Sequence, residues 1–358
     1  MAGSARAGGR RKGPTPRRVV YEPTVTARRW RDRTWVRVGA GVLLVLTVVV
    51  AVDAVRLWRG IDRVDMRLPG AGGGAHNFLL VGSDSRAFVD SGADAASFGD
   101  AASVTGQHAD MMMLVHVPES GAPVVMGVPR DLVVDLAGSG EHRLTMALAQ
   151  GPQVLVDAFC SSFGLGIDHV VIIDFEGFRK LIDSVGGVDL DIAAPIRDTH
   201  TGLDITEVGP HHFDGAEALA LARSRHAESL VDGVWVPMPE GSLGRAERGQ
   251  ALLTGLAPVV QSRSSSWWGM HQMLSAVSGS VTVDSAAGRG DESTLAAALR
   301  ASSEHRDDGG VVQLPATVVE EPVPLARLAP GAGDVLDRVG TGANPACPAP
   351  ARPEGASN

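Results

Sequence analysis

The sequence predicts an α/β fold in which a mixed β-sheet is sandwiched between helices, preceded by one N-terminal transmembrane helix. Two observations carry this prediction. One long apolar stretch occupies residues 38–52, and from residue 76 to residue 315 short apolar segments alternate with segments of helical periodicity. Short strands joined by helices form a parallel or mixed sheet that is covered on both faces. Roughly 240 residues are enough for one sizeable hydrophobic core.

The apolar stretch is predicted to be an uncleaved signal anchor. The first 37 residues carry a net charge of +9 although the whole chain carries −9, so the remainder carries −18. Basic residues beside a membrane helix stay in the cytoplasm, which places the N-terminus inside and the later domain outside the cell membrane. A cleaved signal peptide is the alternative, but the basic tail is longer than an ordinary signal n-region. Attraction to anionic lipids explains this tail without a nucleic-acid partner.

Composition divides the chain into five regions. They are a basic disordered cytoplasmic tail (1–37), the transmembrane anchor (38–58), a Gly-rich linker (59–75), the extracytoplasmic domain (76–315) and a flexible tail rich in Pro, Ala and Gly (316–358).

The chain has two cysteines, Cys160 and Cys347. One disulfide is permitted outside the cell, but the local settings predict a buried inert thiol at Cys160 and an exposed thiol at Cys347.

Four strands and four helices are predicted within the domain. The strands are Asn77 to Val81, Met111 to Val117, Val124 to Val128 and Val170 to Ile173. The helices are Pro152 to Phe163, Phe175 to Val185, a helix from Asp214 to about Arg223, and one from Arg245 to about Val260. Proline in the first turn supports the first helix, and an Asp-x-x-Glu capping box opens the third.

Acidic residues stand at the ends of two predicted strands. Asp84 follows the first strand and Asp110 precedes the second. An α/β sheet places its ligands at strand ends, and two carboxylates suit Mg²⁺ bound together with a phosphate-bearing substrate. The alternative, which spacing alone favours, is that Asp84 is a turn residue and Asp110 a charge at the edge of a strand.

Arginines favour the phosphate interpretation. They are Arg130 beside Asp131 after the third strand, Arg223 and Arg225 at the end of the capped helix, and Arg245 and Arg248 on one helix face. A surface salt bridge is the ordinary role of any one arginine, but guanidinium groups bind phosphate oxygens bidentately. Together with the two carboxylates they predict a polyphosphate pocket. The sequence lacks G-x-x-x-x-G-K-[ST], H-E-x-x-H and C-x-x-C motifs, which disfavours the enzyme classes that use them.

Nine short blocks follow one another through the predicted domain. They are Leu80-Val81-Gly82-Ser83-Asp84-Ser85-Arg86, Ala109-Asp110-Met111-Met112, Val128-Pro129-Arg130-Asp131, Ile167-Asp168-His169, Asp174-Phe175-Glu176-Gly177-Phe178, Gly186-Gly187-Val188-Asp189, Asp214-Gly215-Ala216-Glu217-Ala218-Leu219-Ala220, Arg223-Ser224-Arg225 and Arg245-Ala246-Glu247-Arg248. Each block is weak alone. In this order, from about Phe78 to about Leu253, they resemble the LytR-CpsA-Psr family of membrane-anchored enzymes of bacterial cell-wall assembly. The bias towards Arg, Ala, Gly and Val is typical of an actinobacterial member.

The resemblance implies transfer of a glycopolymer from a polyprenyl-pyrophosphate carrier onto a peptidoglycan hydroxyl, with Mg²⁺ held by Asp84 and Asp110. The catalytic residues it implies are Asp84, Arg86, Asp110, Arg130, Asp131, Arg223 and Arg225. The arginines expected at the substrate pyrophosphate are Arg86, Arg130, Arg143, Arg223, Arg225, Arg245 and Arg248. Asp131 would either orient an arginine or accept the proton of the acceptor, and an apolar groove would take the prenyl chain.

Four places depart from the family pattern. His108 stands where arginine is usual, Arg143-Leu144-Thr145 replaces Lys-Ile-Asn, Ser242 replaces an acidic residue and Gly249 replaces glutamine. These departures keep two alternatives open beside the transferase. One is a non-catalytic paralogue that binds polyprenyl-pyrophosphate lipids. The other is a polyprenyl-pyrophosphate glycan pyrophosphatase, in which water replaces the acceptor.

Overall fold

The structure is a computed structural model that describes residues 60–85, 107–136, 138–238, 241–305, 309–319 and 325–349. The predicted cytoplasmic tail, the signal anchor and Arg86 lie outside the described residues. Of residues 241–247 only the backbone is described. Within the described ranges, no helix combines the length and the apolar character that crossing a membrane requires.

The described residues form seventeen strands and seven α-helices. The strands are β1 (Asp62–Val64), β2 (His76–Ser83), β3 (Ala109–Val117), β4 (Val124–Val128), β5 (Val133–Asp135), β6 (Glu141–Arg143), β7 (His169–Asp174), β8 (Val188–Ile192), β9 (Ile196–Asp198), β10 (Leu203–Ile205), β11 (Gly209–Phe213), β12 (Glu228–Val231), β13 (Val234–Pro237), β14 (Val281–Asp284), β15 (Val311–Gln313), β16 (Ala316–Val319) and β17 (Leu325–Leu328). The helices are α1 (Pro152–Phe163), α2 (Phe175–Val185), α3 (Gly215–Arg223), α4 (Gly241–Ser264), α5 (Trp267–Val277), α6 (Arg289–Glu304) and α7 (Ala332–Arg338). All eight predicted elements are present, with ends that differ by a few residues.

Seven strands form the central sheet, in the order β1-β14-β7-β2-β3-β4-β15. The pairs β1/β14, β7/β2 and β4/β15 are parallel, whereas β14/β7, β2/β3 and β3/β4 are antiparallel. The sheet is therefore mixed, as predicted. Because successive side chains of a strand point to opposite faces, the continuous apolar runs of β2 and β3 present apolar groups on both faces.

Helices cover both faces of this sheet. On one face, Leu79 of β2 belongs to a buried cluster that includes Phe159 of α1. On the other face, its neighbour Phe78 packs in a cluster with Ala298 of α6. This arrangement confirms the predicted sandwich. It also explains why β2 and β3 each contain a continuous apolar run rather than a regular alternation of apolar and polar residues.

A second hydrophobic core joins helices α2 to α5 with strands β8 to β11. Aspartate caps begin two of these helices. Asp174 accepts the backbone N–H of Gly177 at 2.7 Å in α2, and Asp214 accepts that of Glu217 at 2.9 Å in α3. Such caps satisfy N–H groups that lack a partner within the helix. The second core therefore fixes the position of α3 and of Arg223 at its C-terminal end.

The linker predicted over residues 59–75 is part of the folded domain, so that prediction is wrong for residues 60–75. β1 joins the central sheet through its pairing with β14. Asp168 Oδ2 accepts the backbone N–H groups of Ala71 and Asn77, at 3.0 and 2.7 Å. Gly70 and Gly72–Gly74 have positive φ angles, a conformation that glycine adopts without strain. Their composition indicated flexibility, but they form defined turns.

The flexible tail predicted over residues 316–358 is wrong for residues 316–319 and 325–349. β16 and β17 form an antiparallel pair, and Leu336 of α7 packs in the main core. Cys347 is fully buried and forms a disulfide with Cys160 of α1, so the prediction of two separate thiols is also wrong. The pairing depends on how this segment folds back onto α1, which composition does not show.

The disulfide is expected to stabilise the domain because it joins residues 187 positions apart and restricts the unfolded chain. Replacing both cysteines with serine should lower the free energy of unfolding by about 2–5 kcal/mol. Urea-induced unfolding measures this loss. A reductant should reproduce it in the natural protein and leave the double variant unchanged. An identical urea midpoint for the oxidised and reduced natural protein would contradict the expectation.

His169 connects the start of β7 to two acidic residues. Its Nδ1 lies 3.3 Å from both carboxylate oxygens of Asp284, and its Nε2 lies 3.4 Å from Asp291 Oδ2. The hydrogen bond to Asp284 raises the pKa of His169. Burial opposes this rise, and the negative charges of Asp284, Asp291 and Asp168 add to it. The imidazolium form therefore stabilises the folded protein.

This contribution gives stability a predictable pH dependence. It is complete below about 6.5, the ordinary pKa of histidine, and is lost as pH rises through the raised pKa of the folded state. His169→Gln should remove this part of the decline in melting temperature between about pH 5.5 and 8.5. His212→Gln should retain it, because that imidazole is 61% exposed. The same pH profile for His169→Gln and the natural protein would contradict the assignment.

Candidate functional site

Polar side chains gather at one edge of the central sheet. β2, β4 and β7 run in the same direction, because β7 is parallel to β2 while β2 and β4 are both antiparallel to β3. Their C-terminal ends and the N-terminal end of β3 therefore lie at one edge, where α/β sheets commonly bind ligands. Asp84, Asp110, Arg130 and Asp174 come from these four strand ends.

A β-bulge positions Asp110. Gly82 pairs with Met111 whereas Ser83 pairs with Ala109, so Asp110 is an extra residue at this step of the β2/β3 ladder. An extra residue interrupts the alternation of side chains and re-aims them locally. As a result, the adjacent residues Asp110 and Met111 both line the same cavity.

Two guanidinium groups share the carboxylate of Asp110. Arg130 Nη1 donates to Asp110 Oδ1, and Arg225 Nη2 donates to Asp110 Oδ2 at 3.2 Å. Arg130 Nε also lies 3.6 Å from Asp131 Oδ2. The side chains of Asp110 and Arg130 are only 14% and 16% exposed. Water therefore screens this attraction less than it would screen a surface pair.

Three buried polar atoms beside this cluster have no hydrogen-bond partner among the described residues. They are Arg130 Nε, Asp131 Oδ1 and Thr145 Oγ1. Thr145 adjoins the cluster because its backbone N–H donates to the carbonyl oxygen of Arg130 at 2.9 Å. Each such atom is unfavourable by about 1–3 kcal/mol. Their presence together indicates that a polar ligand or ordered water belongs here.

His108 contacts Asp84, the first predicted metal-binding carboxylate. Asp84 Oδ1 accepts the backbone N–H of His108 at 2.6 Å, and Oδ2 lies 3.1 Å from His108 Nδ1. The backbone N–H of Asp84 donates in turn to the carbonyl oxygen of His108 at 3.1 Å. The residue that stands in place of the usual arginine is therefore directly bound to the site.

The stretch Arg223-Ser224-Arg225, here called the arginine segment, follows the body of α3. The guanidinium carbon of Arg223 lies 5.0 Å from the centre of the Phe175 ring, a distance typical of cation–π contacts. Arg248 Nη2 donates to the carbonyl oxygen of Ser224 at 3.1 Å. The arginine segment is thus supported from α2 on one side and from α4 on the other.

Asp198 anchors the arginine segment, a role that the sequence does not indicate. Its buried Oδ2 accepts the Ser224 hydroxyl at 2.8 Å and the backbone N–H groups of Arg225 and His226 at 3.0 and 2.9 Å. Its Oδ1 accepts the backbone N–H of His200 at 2.9 Å. Burial raises the pKa of Asp198, but these hydrogen bonds outweigh burial and lower the pKa to about 2. An aspartate in a short strand carries no sequence signal for such a role.

An open cavity, about 390 Å³ when the solvent at its mouth is included, adjoins the arginines and carboxylates. It lies where the sheet edge meets α2 and α3, and its wall is mainly apolar. The apolar side chains of the wall are those of Met111, Ile173, Phe175, Phe178, Leu219 and Ala222. Asp110, Asp174 and Arg223 supply the charged groups. Burial raises the pKa of Asp174, although its capping bond from Gly177 acts in the opposite direction. The position of Asp174 in the cavity is not predicted by the sequence.

The predicted site residues differ in where the structure places them. The residues found at this edge or its cavity are Asp84, Asp110, Arg130, Asp131, Arg223 and Arg225. Arg248 contacts the backbone of the arginine segment, and Arg143 lies on β6 opposite Val133. Arg245 lies in α4, where its side chain is not described, and Arg86 lies outside the described residues.

The donor set at this edge fits a Mg²⁺ ion. Mg²⁺ takes oxygen ligands and commonly binds one or two carboxylates together with substrate phosphates and water. A carboxylate offers about four lone-pair sites, and the two contacts from His108 leave others on Asp84. Asp110 is bound by guanidinium groups that a phosphate would also attract.

The fold and the site define an α/β protein in which a cluster of arginines and carboxylates lies next to a mainly apolar cavity. The LytR_cpsA_psr family model matches residues 59–318. The chain therefore belongs to the LytR-CpsA-Psr family, which confirms the resemblance found in the sequence.

Two relatives in sequence and one solved structure are consistent with this family membership. The "Probable cell wall biosynthesis protein LcpB" of Corynebacterium glutamicum is 37% identical over 198 residues, which are 54% of this chain and 47% of LcpB. The "Polyisoprenyl-teichoic acid--peptidoglycan teichoic acid transferase TagV" of Bacillus subtilis is 27% identical over 168 residues, 44% of this chain and 40% of TagV. The matches thus span less than half the length of these relatives. The "LytR-Csp2A-Psr enzyme from Actinomyces oris" has a TM-score of 0.61 and 30% identity, covering 79% of this chain and 97% of that chain.

Gly249 of α4 packs directly against the cavity wall. A Cβ atom added to Gly249 would overlap Met111 Sδ, and Met111 lines the cavity. A glutamine at position 249, which the family pattern favours, cannot therefore coexist with the present placement of Met111.

Gly249→Gln should lower the free energy of unfolding by up to about 1 kcal/mol, at the low end of overpacking costs, because the overlapping atom belongs to the flexible Met111 side chain beside an open cavity. Adding Met111→Ala to this variant should restore part of the loss, since it removes the overlapping group. Urea-induced unfolding provides the measurement. Gly290→Gln is the matched control, because an added Cβ there meets nothing within 4 Å. Equal stability of Gly249→Gln and the natural protein would show that Met111 moves aside freely.

Proposed function

We propose that the chain is a Mg²⁺-dependent phosphotransferase that moves a glycopolymer from a polyprenyl-pyrophosphate carrier onto a peptidoglycan hydroxyl. The observation that carries this proposal is the arginine–carboxylate cluster at Asp110, which lies beside a mainly apolar cavity. A polyprenyl pyrophosphate has the matching chemistry, since an anionic diphosphate is joined to an apolar chain. The names of LcpB and TagV, which refer to cell wall biosynthesis and teichoic acid transfer, support the proposal.

The pyrophosphate would bind among Arg130, Arg223 and Arg225. Without substrate, the single negative charge of Asp110 offsets part of the positive charge of Arg130 and Arg225. Phosphate oxygens would compete for the same guanidinium groups, because arginine binds phosphate in bidentate fashion. The buried Arg130 Nε and Thr145 Oγ1 atoms would gain partners at the same time. The prenyl chain would lie along the apolar wall formed by Phe175 and Phe178.

In the transfer step, the acceptor hydroxyl oxygen attacks the phosphorus that carries the glycan. The bond from this phosphorus to the bridging oxygen breaks, polyprenyl phosphate leaves, and the hydroxyl proton passes to a base. Arg130, Arg223 and Arg225 stabilise the negative charge that develops on the leaving phosphate, which is the main demand of phosphoryl transfer. Mg²⁺ held by Asp84 and Asp110 would supply further charge neutralisation. The contact between Asp131 and Arg130 Nε favours an orienting role for Asp131.

We also propose that the domain lies outside the cell membrane and is anchored through residues 38–58. The disulfide between Cys160 and Cys347 supports this placement, since disulfides persist in oxidising compartments and are rare in the cytosol. The anchor would hold the domain close to the bilayer, where a polyprenyl-linked substrate resides.

A second candidate function is lipid binding without turnover. The specific observation in its favour is the pair of contacts from His108 to the two carboxylate oxygens of Asp84. If these contacts persist with substrate present, Asp84 has fewer positions for a metal ion. The arginines would still bind the pyrophosphate, so affinity would remain while catalysis would not.

Release of polyprenyl phosphate by the full-length chain in detergent tests these functions. The reaction would be run with and without Mg²⁺ and with and without peptidoglycan. Asp110→Asn should reduce the rate about 10²–10³-fold, because it removes a charge that acts on the arginines and on the metal ion. Asp189→Asn should keep the natural rate, since this carboxylate is 81% exposed and pairs with His212 away from the cavity.

The outcomes separate the candidates. Release that needs both Mg²⁺ and peptidoglycan, and that falls in Asp110→Asn alone, supports the transferase. Release of polyprenyl phosphate at the same rate with and without peptidoglycan would identify a pyrophosphatase instead. Saturable binding of the lipid with no release under any condition would identify the lipid-binding paralogue. Similar losses in Asp110→Asn and Asp189→Asn would reject the site assignment.

A further inference from the structure

We propose that Asp198, His200 and His226 form a second metal site, separate from the Mg²⁺ carboxylates, that takes Zn²⁺ or a similar divalent transition ion. One ligand atom from each residue lies within 4.8 Å of the others. His200 Nδ1 is 3.4 Å from Asp198 Oδ1, and the two imidazole rings have centroids 4.4 Å apart. Modest side-chain rotations would bring the three donors to zinc-ligand distances of about 2.0–2.2 Å.

The donor types select the metal. Two imidazole nitrogens and one carboxylate oxygen form a set that Zn²⁺, Ni²⁺ and Cu²⁺ accept, whereas Mg²⁺ prefers oxygen donors alone. Three protein ligands leave a fourth tetrahedral position open to water or another small ligand. The transfer step proposed above uses neither His200 nor His226, so this site goes beyond that function.

The carboxylate of Asp198 is already fixed in position and retains room for a metal ion. Its Oδ2 accepts three hydrogen bonds, and its Oδ1 accepts the backbone N–H of His200. A carboxylate oxygen can accept more than one bond, so Oδ1, which accepts one hydrogen bond and lies 3.4 Å from His200 Nδ1, has capacity for a metal ion. The side chain of His200 is 68% exposed, which leaves a path for an ion to enter.

The proposed metal site lies directly beside the arginine segment in the chain. His226 directly follows Arg225, and His200 stands in the turn between β9 and β10. An ion bound by both would join that turn to the arginine segment and would add a second link to the one that Asp198 already makes. Metal binding at this site would thus restrain the segment that donates to Asp110.

Zinc binding to the full-length chain tests the proposal. The protein, in detergent and without a histidine tag, would be stripped of metal and titrated with ZnCl₂ by calorimetry in excess Mg²⁺, so that oxygen-only sites are filled. One equivalent of Zn²⁺ should bind and raise the melting temperature. His200→Gln and His226→Gln should each weaken binding by about tenfold or more and abolish that rise, because each removes one of three ligands. Both histidines are exposed, so their loss should leave the zinc-free melting temperature unchanged.

The pair His211 and His212 supplies a matched control. They also lie beside carboxylates, with His212 Nδ1 2.7 Å from Asp189 and His211 Nε2 3.5 Å from Glu217. The double variant His211→Gln/His212→Gln should keep the natural zinc affinity. The proposal is overturned if the natural protein shows no one-equivalent binding, if His200→Gln and His226→Gln bind Zn²⁺ as tightly as the natural protein, or if only the control loses affinity.

Discussion

The carboxylate that Asp110 shares with Arg130 and Arg225 is the interaction on which the candidate site depends. Two guanidinium groups held this close in a partly buried place would repel each other unless a negative charge lay between them. Arg130 follows β4 and Arg225 follows α3, so the contact joins the central sheet to the second core. The β-bulge at Asp110 makes it possible, because it frees one residue from the regular alternation of β3.

The placement of Arg225 depends in turn on structure outside the sheet. The second core positions α3, the cap at Asp214 fixes where α3 begins, and Asp198 holds the backbone immediately after Arg223. Arg248 adds a hydrogen bond to Ser224 from α4. Catalysis of phosphoryl transfer relies on charges that are in place before the reaction begins. The contacts around the arginine segment provide that kind of advance positioning.

The sequence predicted the parts of the fold that follow from local rules. Apolar runs identified the central strands, and the Asp-x-x-Glu box identified the start of α3. The aspartates and arginines at element ends were found because strand ends are where α/β sheets bind ligands.

Features that depend on tertiary packing were missed. Cys347 was assigned to a tail because Pro, Ala and Gly surround it, and only its contact with α1 reveals the disulfide. Asp198 lies in a three-residue strand, and nothing in its spacing shows that three N–H groups and a hydroxyl converge on it. The bulge at Asp110 results from an unequal number of residues between paired positions, which a single sequence does not display.

Two departures from the family pattern change the site only locally. Gly249 leaves space that Met111 fills, so an apolar side chain stands at the cavity wall where the family pattern favours a polar one. At position 108, an imidazole stands in place of the guanidinium group that the family pattern favours, and the two contacts that His108 makes leave other lone pairs on Asp84. His108 is therefore compatible with the proposed transferase as well as with a lipid-binding paralogue.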